Sequence, residues 1–169
     1  MAGAPQIFDQ RLIRARRDRI ARRGAAADAD FLLARVADDF VERLGSIRRE
    51  FPVAANIGAY HGLVARRLRD VPSIGQIIDV ESSLGCLELS GGARIAAVDE
   101  ALPFAQQSLD LVVSGLSLHL VNDLPGALLQ INRALKPDGL FLAALLGGET
   151  LKELREAWLL AEAELFGGA

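Results

Sequence analysis

The sequence predicts an α/β fold in which a doubly wound parallel sheet follows two N-terminal helices. Three observations support this prediction. Hydrophobic residues make up 51% of the chain and charged residues 24%, as in a globular domain. From residue 53 onward, short apolar runs alternate with stretches of helical periodicity. The apolar runs are hydrophobic nearly throughout, which is typical of strands covered by helices on both faces of a sheet.

Residues 1–50 are predicted to form a helical extension. Helices are expected at 9–23 and 30–50, because apolar side chains recur there at helical spacing. Asp28 or Asp30 can cap the start of the second helix.

Residues 51–169 are predicted to form the core of the domain. Strands are predicted at 53–57, 75–80, 94–98, 109–114 and 140–146, and helices at 63–70, 83–89, 124–135 and about 148–164. We expect the last helix to bury one apolar face, formed by Leu151, Leu154, Trp158, Leu159 and Leu165. A sheet of this kind binds ligands at the carboxyl ends of its strands, near the point where the strand order reverses.

Composition argues against several classes of protein. The longest apolar run, residues 140–146, is far too short to span a bilayer, and no segment resembles a secretory signal. Cys86 is the single cysteine, so neither an internal disulfide framework nor a cysteine-based metal site is expected. Two histidines and scattered acids show no metal-ligand spacing, so no metal is predicted. We expect a cytoplasmic protein, or one of an organelle matrix if the source is eukaryotic.

Charge is distributed unevenly along the chain, although the net charge is only −3. The first predicted helix is rich in arginine, and residues 71–169 are acidic. This pattern is compatible with an anionic partner such as nucleic acid or a membrane surface. A helix that is solvated, or that pairs with the acidic half, is the favoured interpretation, because Asp9 and Asp18 interrupt the run and aromatic stacking residues are absent from it.

Two loops at the predicted strand ends carry candidate binding residues. The loop after the first strand contains Gly58 and Gly62, and glycines there let backbone amides approach a ligand, although an ordinary tight turn would look the same. The second strand ends in Asp79 and Glu81. A carboxylate in that position commonly accepts hydrogen bonds from two ribose hydroxyls, the alternative being solvated polar residues at a strand end.

A longer set of motifs makes the assignment more specific. Leu102-Pro103-Phe104, Ser117-Leu118-His119, the stretch 122–128 and the stretch 135–141 follow one another within residues 99–151. Together they resemble methyltransferases of the type 11 class, which have a Rossmann-like sheet. Within that class the chain looks most similar to the bacterial relatives of a mitochondrial complex I assembly factor that is described as an arginine hydroxylase on a methyltransferase fold. Ile7-Phe8-Asp9 and the stretch 146–151 are similar to that subgroup as well.

The resemblance implies S-adenosyl-L-methionine as the cofactor, bound across the ends of the first, second and fourth strands. Glu81 would hold the ribose, with Asp79 as the fallback, and His119 would face the substrate as the candidate catalytic residue. A lone histidine after an apolar strand is more often simply packed. The residues implied in cofactor binding are Gly58, Gly62, Glu81, Asp99, Ser114 and Leu116.

Three residues depart from the family pattern. Asn56 stands where an Asp is usual, Tyr60 occupies a loop position that is usually small, and Val98 replaces an Asp that would face adenine. Each lost charged hydrogen bond would weaken cofactor binding by about 1.5–3 kcal/mol. A one-residue slip could bring Asp99 into the place of Val98.

The family usually has seven strands, of which five are predicted here, so the fifth strand is expected to form a bare apolar edge. We therefore expect a fragment, a truncated gene product, or a chain that needs a partner to cover that edge. The resemblance implies methyl transfer to a protein or small-molecule nucleophile. The alternatives are a non-catalytic assembly factor with a degenerate cofactor site, or a protein-arginine hydroxylase.

Overall fold

The computed structural model describes residues 6–24 and 30–167 and contains the predicted parallel sheet. All strand pairs are parallel, and the strand order is β3-β2-β1-β4-β5. The strands are β1 (Phe51–Ile57), β2 (Ile74–Glu81), β3 (Ala93–Ala96), β4 (Leu109–Gly115) and β5 (Leu135–Ala144). The α/β class, the parallel pairing and the existence of all five strands are therefore confirmed.

The described residues contain six α-helices. They are α1 (Gln10–Arg23), α2 (Phe31–Gly45), α3 (Leu63–Leu68), α4 (Leu84–Ser90), α5 (Leu124–Ala134) and α6 (Lys152–Phe166), with a short 3₁₀ helix at Leu118–Leu120 between β4 and α5. None of these helices is long and apolar enough to cross a membrane. Within the same residues, no group of three or more His, Cys, Asp or Glu side chains is arranged to hold a metal ion.

Neighbouring residues of the central strands point to opposite faces of the sheet, and helices cover both. On one face, Ala54 and Leu111 pack in a cluster with Phe40 of α2 and Leu68 of α3. On the other face, Ala55 and Val112 pack with Leu118, Ile131 and Ala134. This alternation along β1 and β4 is the pleat of a strand with two buried faces, and it explains why these strands are apolar throughout.

The helix starts combine side-chain caps with tertiary contacts. Asp9 accepts hydrogen bonds from the amides of Arg11 and Leu12 at the start of α1. Asp30 stands at the N-cap position of α2 but makes no capping hydrogen bond. Its carboxylate instead lies 2.9 Å from Nε2 of the buried His61. Asp28, the other predicted cap, lies outside the described residues.

β5 begins five residues earlier than the sequence predicted. The stretch 136–139 was expected to be a turn, yet Leu135 already pairs with Leu109, and the ladder shifts register before Leu111 pairs with Leu140. Proline is tolerated at a bulge of an edge strand because no ladder partner needs its missing amide hydrogen. Lys136 holds the segment in place by donating to both carboxylate oxygens of Asp110, each at 2.9 Å.

The prediction that the last helix buries one apolar face is wrong. Every described side chain along α6 is exposed, and Trp158 is 66% accessible. The sequence-based expectation required a surface for α6 to pack against, and no described element provides one. β5 is the edge strand on this side of the sheet, so α6 follows an open edge.

Candidate functional site

The carboxyl ends of β1, β2 and β4 meet at one rim of the sheet, as the sequence analysis expected. β1 lies between the other two strands and pairs in parallel with both. The loop after β1 reaches the end of β2, because the amide of Tyr60 donates to Oε2 of Glu81 at 2.9 Å. The same loop touches the segment after β4 at Ser117. Gly58, Glu81 and the tip of β4 therefore face one site.

Gly58 has a positive φ of 65° and is pressed against Ser117. A Cβ atom at this position would overlap the Ser117 side chain and would lie 3.1 Å from Oδ2 of Asp99. Glycine is required for two reasons. Other residues are strained at this φ, and the side chain of any other residue would collide with Ser117. The missing side chain keeps the loop close to the rim.

Glu81 is the central charged group of the rim, and its side chain is fully buried. Oε1 accepts hydrogen bonds from the Ser83 amide at 2.8 Å and from the Ser82 hydroxyl at 3.1 Å, and Oε2 accepts from the Tyr60 amide. Arg17 of α1 adds a further donor to both oxygens, at 3.0 and 2.8 Å. These donors hold the carboxylate in a fixed orientation.

Arg17 is a member of the site that the sequence analysis missed. Its side chain is only 13% exposed, and its second terminal nitrogen donates to Oγ of Ser117 at 3.2 Å. Burial opposes the charge, but the ion pair with Glu81 outweighs it and the pKa of Arg17 is raised. A signal was present in the sequence, because Arg17 lies on the same helical stripe as Ile13 and Ile20 and not on the polar side.

Asp99 also faces the rim, where its carboxylate accepts a hydrogen bond from Ser117. Burial raises the pKa of Asp99, and the Ser117 hydrogen bond and the charge of Arg17 act in the opposite direction. Val98 lines the same small cavity as Asp99. The loop thus brings a carboxylate to the rim one residue after the position that the family pattern predicts.

Two cavities lie along the rim, and Arg17 lines both of them. The smaller has a volume of about 10 Å³ and is bordered by Ser82, Val98 and Asp99 together with Gln10, Ile13 and Arg17 from α1. The larger, about 200 Å³, is lined by Gly58, Tyr60, Gly115 and Leu116, and also by Leu33 and Arg17. Arg17 is therefore shared by both cavities.

Two residues with strained backbone line the larger cavity. Tyr60 and Leu116 are non-glycine residues with positive φ values of 53° and 56°. Strained conformations of this kind cost on the order of 1–3 kcal/mol each and cluster at ligand-binding sites. The Tyr60 ring packs against His61 with centroids 4.7 Å apart, so the side chain lines the cavity without filling it.

Three other predicted site residues lie further from these cavities. Gly62 is the N-cap of α3, where a Cβ atom would collide with Ser90, so its observed contact is with α4. Ser114 is fully buried at the end of β4, and its hydroxyl has no hydrogen-bond partner among the described residues. Burial, and then the charge of Arg17, lower the pKa of His119. Neither cavity includes His119 among its lining residues.

Asn56 and Asp79 form a buried pair beneath the rim. Nδ2 of Asn56 donates to Oδ1 of Asp79 at 2.7 Å, and both side chains are fully buried. An aspartate at position 56 would set two carboxylates against each other, which accounts for the asparagine. Because Asp79 points at Asn56, Glu81 is the carboxylate that faces the rim at the end of β2.

The sheet order, the glycine turn after β1 and the carboxylate at the end of β2 define a class of α/β proteins that bind a nucleotide-containing cofactor at this rim. Residues 55–143 match the methyltransferase domain family, and the chain belongs to that family. Its fold is the Rossmann-like fold of S-adenosylmethionine-dependent methyltransferases, as the resemblance implied.

Curated relatives place the chain near two named groups. It is 42% identical to the mouse mitochondrial arginine-hydroxylase NDUFAF5, over 98% of this chain and 49% of the mouse protein. It is 34% identical to the malonyl-[acyl-carrier protein] O-methyltransferase of Gallionella capsiferriformans, over 86% of this chain and 55% of that protein. The chain thus spans about half the length of these relatives.

Solved structures agree on the fold. A Haloferax volcanii methyltransferase in complex with its Trm112 activator superposes with a TM-score of 0.67 at 22% identity, covering 81% of this chain and 66% of that one. A protein from Methanococcus maripaludis described as an S-adenosylmethionine-dependent methyltransferase gives 0.60 at 20% identity, covering 99% and 76%.

Proposed function

We propose that the chain binds S-adenosylmethionine along this rim and transfers its methyl group to a protein or small-molecule nucleophile. The observation that carries the proposal is the fully buried Glu81 carboxylate at the end of β2, opposite a glycine turn with no room for a side chain. A carboxylate in this position suits the two hydroxyls of a ribose, and Gly58 lets the backbone approach the ligand closely.

The other rim residues have consistent roles in this proposal. Val98 and Asp99 would lie on the adenine side, while Tyr60, Gly115 and Leu116 would line the methionine side. Ser114 would stand beside the cofactor at the end of β4, and Gly62 would act through the packing of the loop. When bound, the cofactor supplies an electrophilic methyl group on a sulfonium centre.

Methyl transfer demands little acid–base chemistry from the protein. Aligning the nucleophile with the methyl group and keeping water out account for most of the rate. Burial lowers the pKa of His119 and so favours the neutral imidazole, the form that can accept a proton from a substrate. It remains our candidate for that role.

Hydroxylation of a protein arginine is the second candidate function, because relatives from mouse, rat and human are named arginine-hydroxylase NDUFAF5. A non-catalytic assembly factor is the third. Both give the chain a protein partner, whereas nucleic acid is not expected. We propose a cytoplasmic location, or an organelle matrix if the source is eukaryotic, because those relatives are named mitochondrial.

Calorimetric titration with S-adenosylmethionine tests the proposal. We expect micromolar binding to the unaltered chain and about ten- to hundredfold weaker binding to Glu81→Gln, which removes the charge that orients the ribose. Glu88→Ala is the matched control, because this acid lies on nearby α4 and is exposed. Circular dichroism confirms that each variant is folded.

Two outcomes would contradict the proposal. Absence of heat at millimolar ligand would favour the assembly factor. Binding that Glu81→Gln leaves unchanged would show that the cofactor lies elsewhere.

A further inference from the structure

We propose that α1 is a latch on the cofactor site and that Arg17 must leave Glu81 before a ribose can bind there. This inference rests on the proposed function, since it concerns the same carboxylate. It goes further because α1 and the cofactor compete for Glu81. In the structure described here, α1 occupies Glu81 and the site is closed.

The acceptor capacity of Glu81 is already filled. A carboxylate offers about four lone-pair positions. Oε1 accepts from Arg17, Ser82 and Ser83, and Oε2 accepts from Arg17 and Tyr60. The two Arg17 contacts can be withdrawn without unfolding the loops after β1 and β2. Their loss leaves three donors, from Ser82, Ser83 and Tyr60, on about four positions and so makes room for a ribose hydroxyl.

Space leads to the same conclusion. The cavity beside Ser82, Val98 and Asp99 measures about 10 Å³, whereas a single water molecule already needs about 10–15 Å³. An adenosine group cannot enter a space of that size. Because α1 contributes Gln10, Ile13 and Arg17 to the lining, moving this helix is what opens the adenine side.

The helix is fastened at several points by polar contacts to the rim loops. Oδ1 of Asp18 accepts from the Ser83 hydroxyl and the Gly85 amide. Gln10 donates to the carbonyl of Leu120 at 2.9 Å. The side-chain oxygen of Asn122 accepts from the amides of Ile7 and Phe8, each at 2.8 Å.

Each of these contacts holds α1 against the rim, and breaking any one of them makes it easier for the whole helix to move away. Loss of one fastening should lower the cost of lifting the helix and raise the apparent affinity for cofactor, because only the open fraction binds. Asn122 provides such a fastening without contacting Glu81.

The test is calorimetric titration of the full chain with S-adenosylhomocysteine, which carries the same ribose and adenine but no sulfonium charge. We expect Arg17→Ala to bind about ten- to hundredfold more tightly than the unaltered chain, the range that a charged hydrogen bond represents. Asn122→Ala should bind more tightly as well. Arg16→Ala, an exposed arginine on the same helix, should leave the affinity unchanged.

Hydrogen exchange of the same samples supplies an independent measurement. If the latch opens, the amides of α1 exchange faster when the ligand is present. Weaker binding by Arg17→Ala, or protection of α1 by the ligand, would overturn the latch and make Arg17 part of the occupied site. If neither the unaltered chain nor Arg17→Ala binds at millimolar ligand, the proposed function fails and the latch fails with it. Binding that Arg17→Ala and Asn122→Ala leave unchanged overturns the latch alone.

Discussion

Asn56 and Asp79 illustrate how a single buried pair ties stability to pH. Burial raises the pKa of Asp79, against the hydrogen bond from Asn56 and the charge of Arg69. Oδ2 of Asp79 and Oδ1 of Asn56 have no hydrogen-bond partner among the described residues. Because the folded-state pKa lies above the unfolded value near 3.8, this group favours folding below that pH, and its contribution is lost as pH rises through the folded-state pKa.

Asp79→Asn should therefore gain stability relative to the unaltered chain as pH rises from 4 to 7. The new amide removes the buried charge and offers a donor for Oδ1 of Asn56. Urea unfolding at several pH values measures the difference, with the exposed carboxylate variant Asp70→Asn as the control. If the difference in stability between Asp79→Asn and the unaltered chain were the same at every pH, folding would not raise the pKa of Asp79.

Residues of the site differ in how far the sequence could predict them. Glu81, Gly58 and Asp99 lie at or shortly after strand ends, so the alternation of strands and helices was enough to bring them to one rim. Arg17 and Ser117 were missed because their roles depend on contacts between distant segments. Asn56 was interpreted as a defect of the site, since sequence alone did not show Asp79 facing it.

At the scale of elements, α2 shows what periodicity can and cannot predict. The helix contains Phe31 and Phe40, both in its apolar pattern, yet Phe31 is 75% exposed and Phe40 only 3%. The pattern predicted a helix correctly but placed its end at residue 50 instead of Gly45. Only the packing against the sheet decides which phenylalanine belongs to the core.

Phe40→Ala should lower the free energy of unfolding by about 3–5 kcal/mol, because it leaves a cavity between α2 and the sheet. The same substitution at Phe31, on the same helix, should change it by less than about 0.5 kcal/mol. Urea denaturation followed by far-ultraviolet circular dichroism measures both. Equal effects would mean that α2 does not pack on the sheet as described.

For β5, local composition predicted the wrong starting residue, 140 instead of Leu135. Lys136-Pro137-Asp138-Gly139 has the residues of a turn, and Asp138 does adopt a positive φ of 67°. The strand nevertheless passes through it, since pairing with β4 and the ion pair of Lys136 with Asp110 hold both sides of the bulge. Long-range pairing overrode the local preference.

At the scale of the whole molecule, the topology determines where the site lies. With β1 between β2 and β4, the chain moves outward in one direction from β1 to β3 and then crosses over to β4. The loops after β1 and β4 separate at this reversal and leave a crevice. The position of the site could therefore be predicted from the order of elements, before any side chain was considered.

Among the described residues, the same topology leaves an apolar surface beside β5 without a covering element. β5 is an edge strand, Leu145 and Leu146 after it are 42% and 43% exposed, and α6 presents further leucines. Surfaces of this kind mark interaction sites or a tendency to associate. The position of β5 at the edge of the sheet agrees with the sequence prediction.

Trp158 gives this exposed helix a spectroscopic consequence. It is the single tryptophan of the chain and is two-thirds accessible, so its emission should already be that of a solvated indole in the folded protein. Urea should therefore shift the emission maximum very little through the transition that circular dichroism detects. A blue-shifted maximum in the native state would contradict this. If the prediction holds, intrinsic fluorescence reports the binding of anything that covers α6. It does not report the unfolding of the sheet.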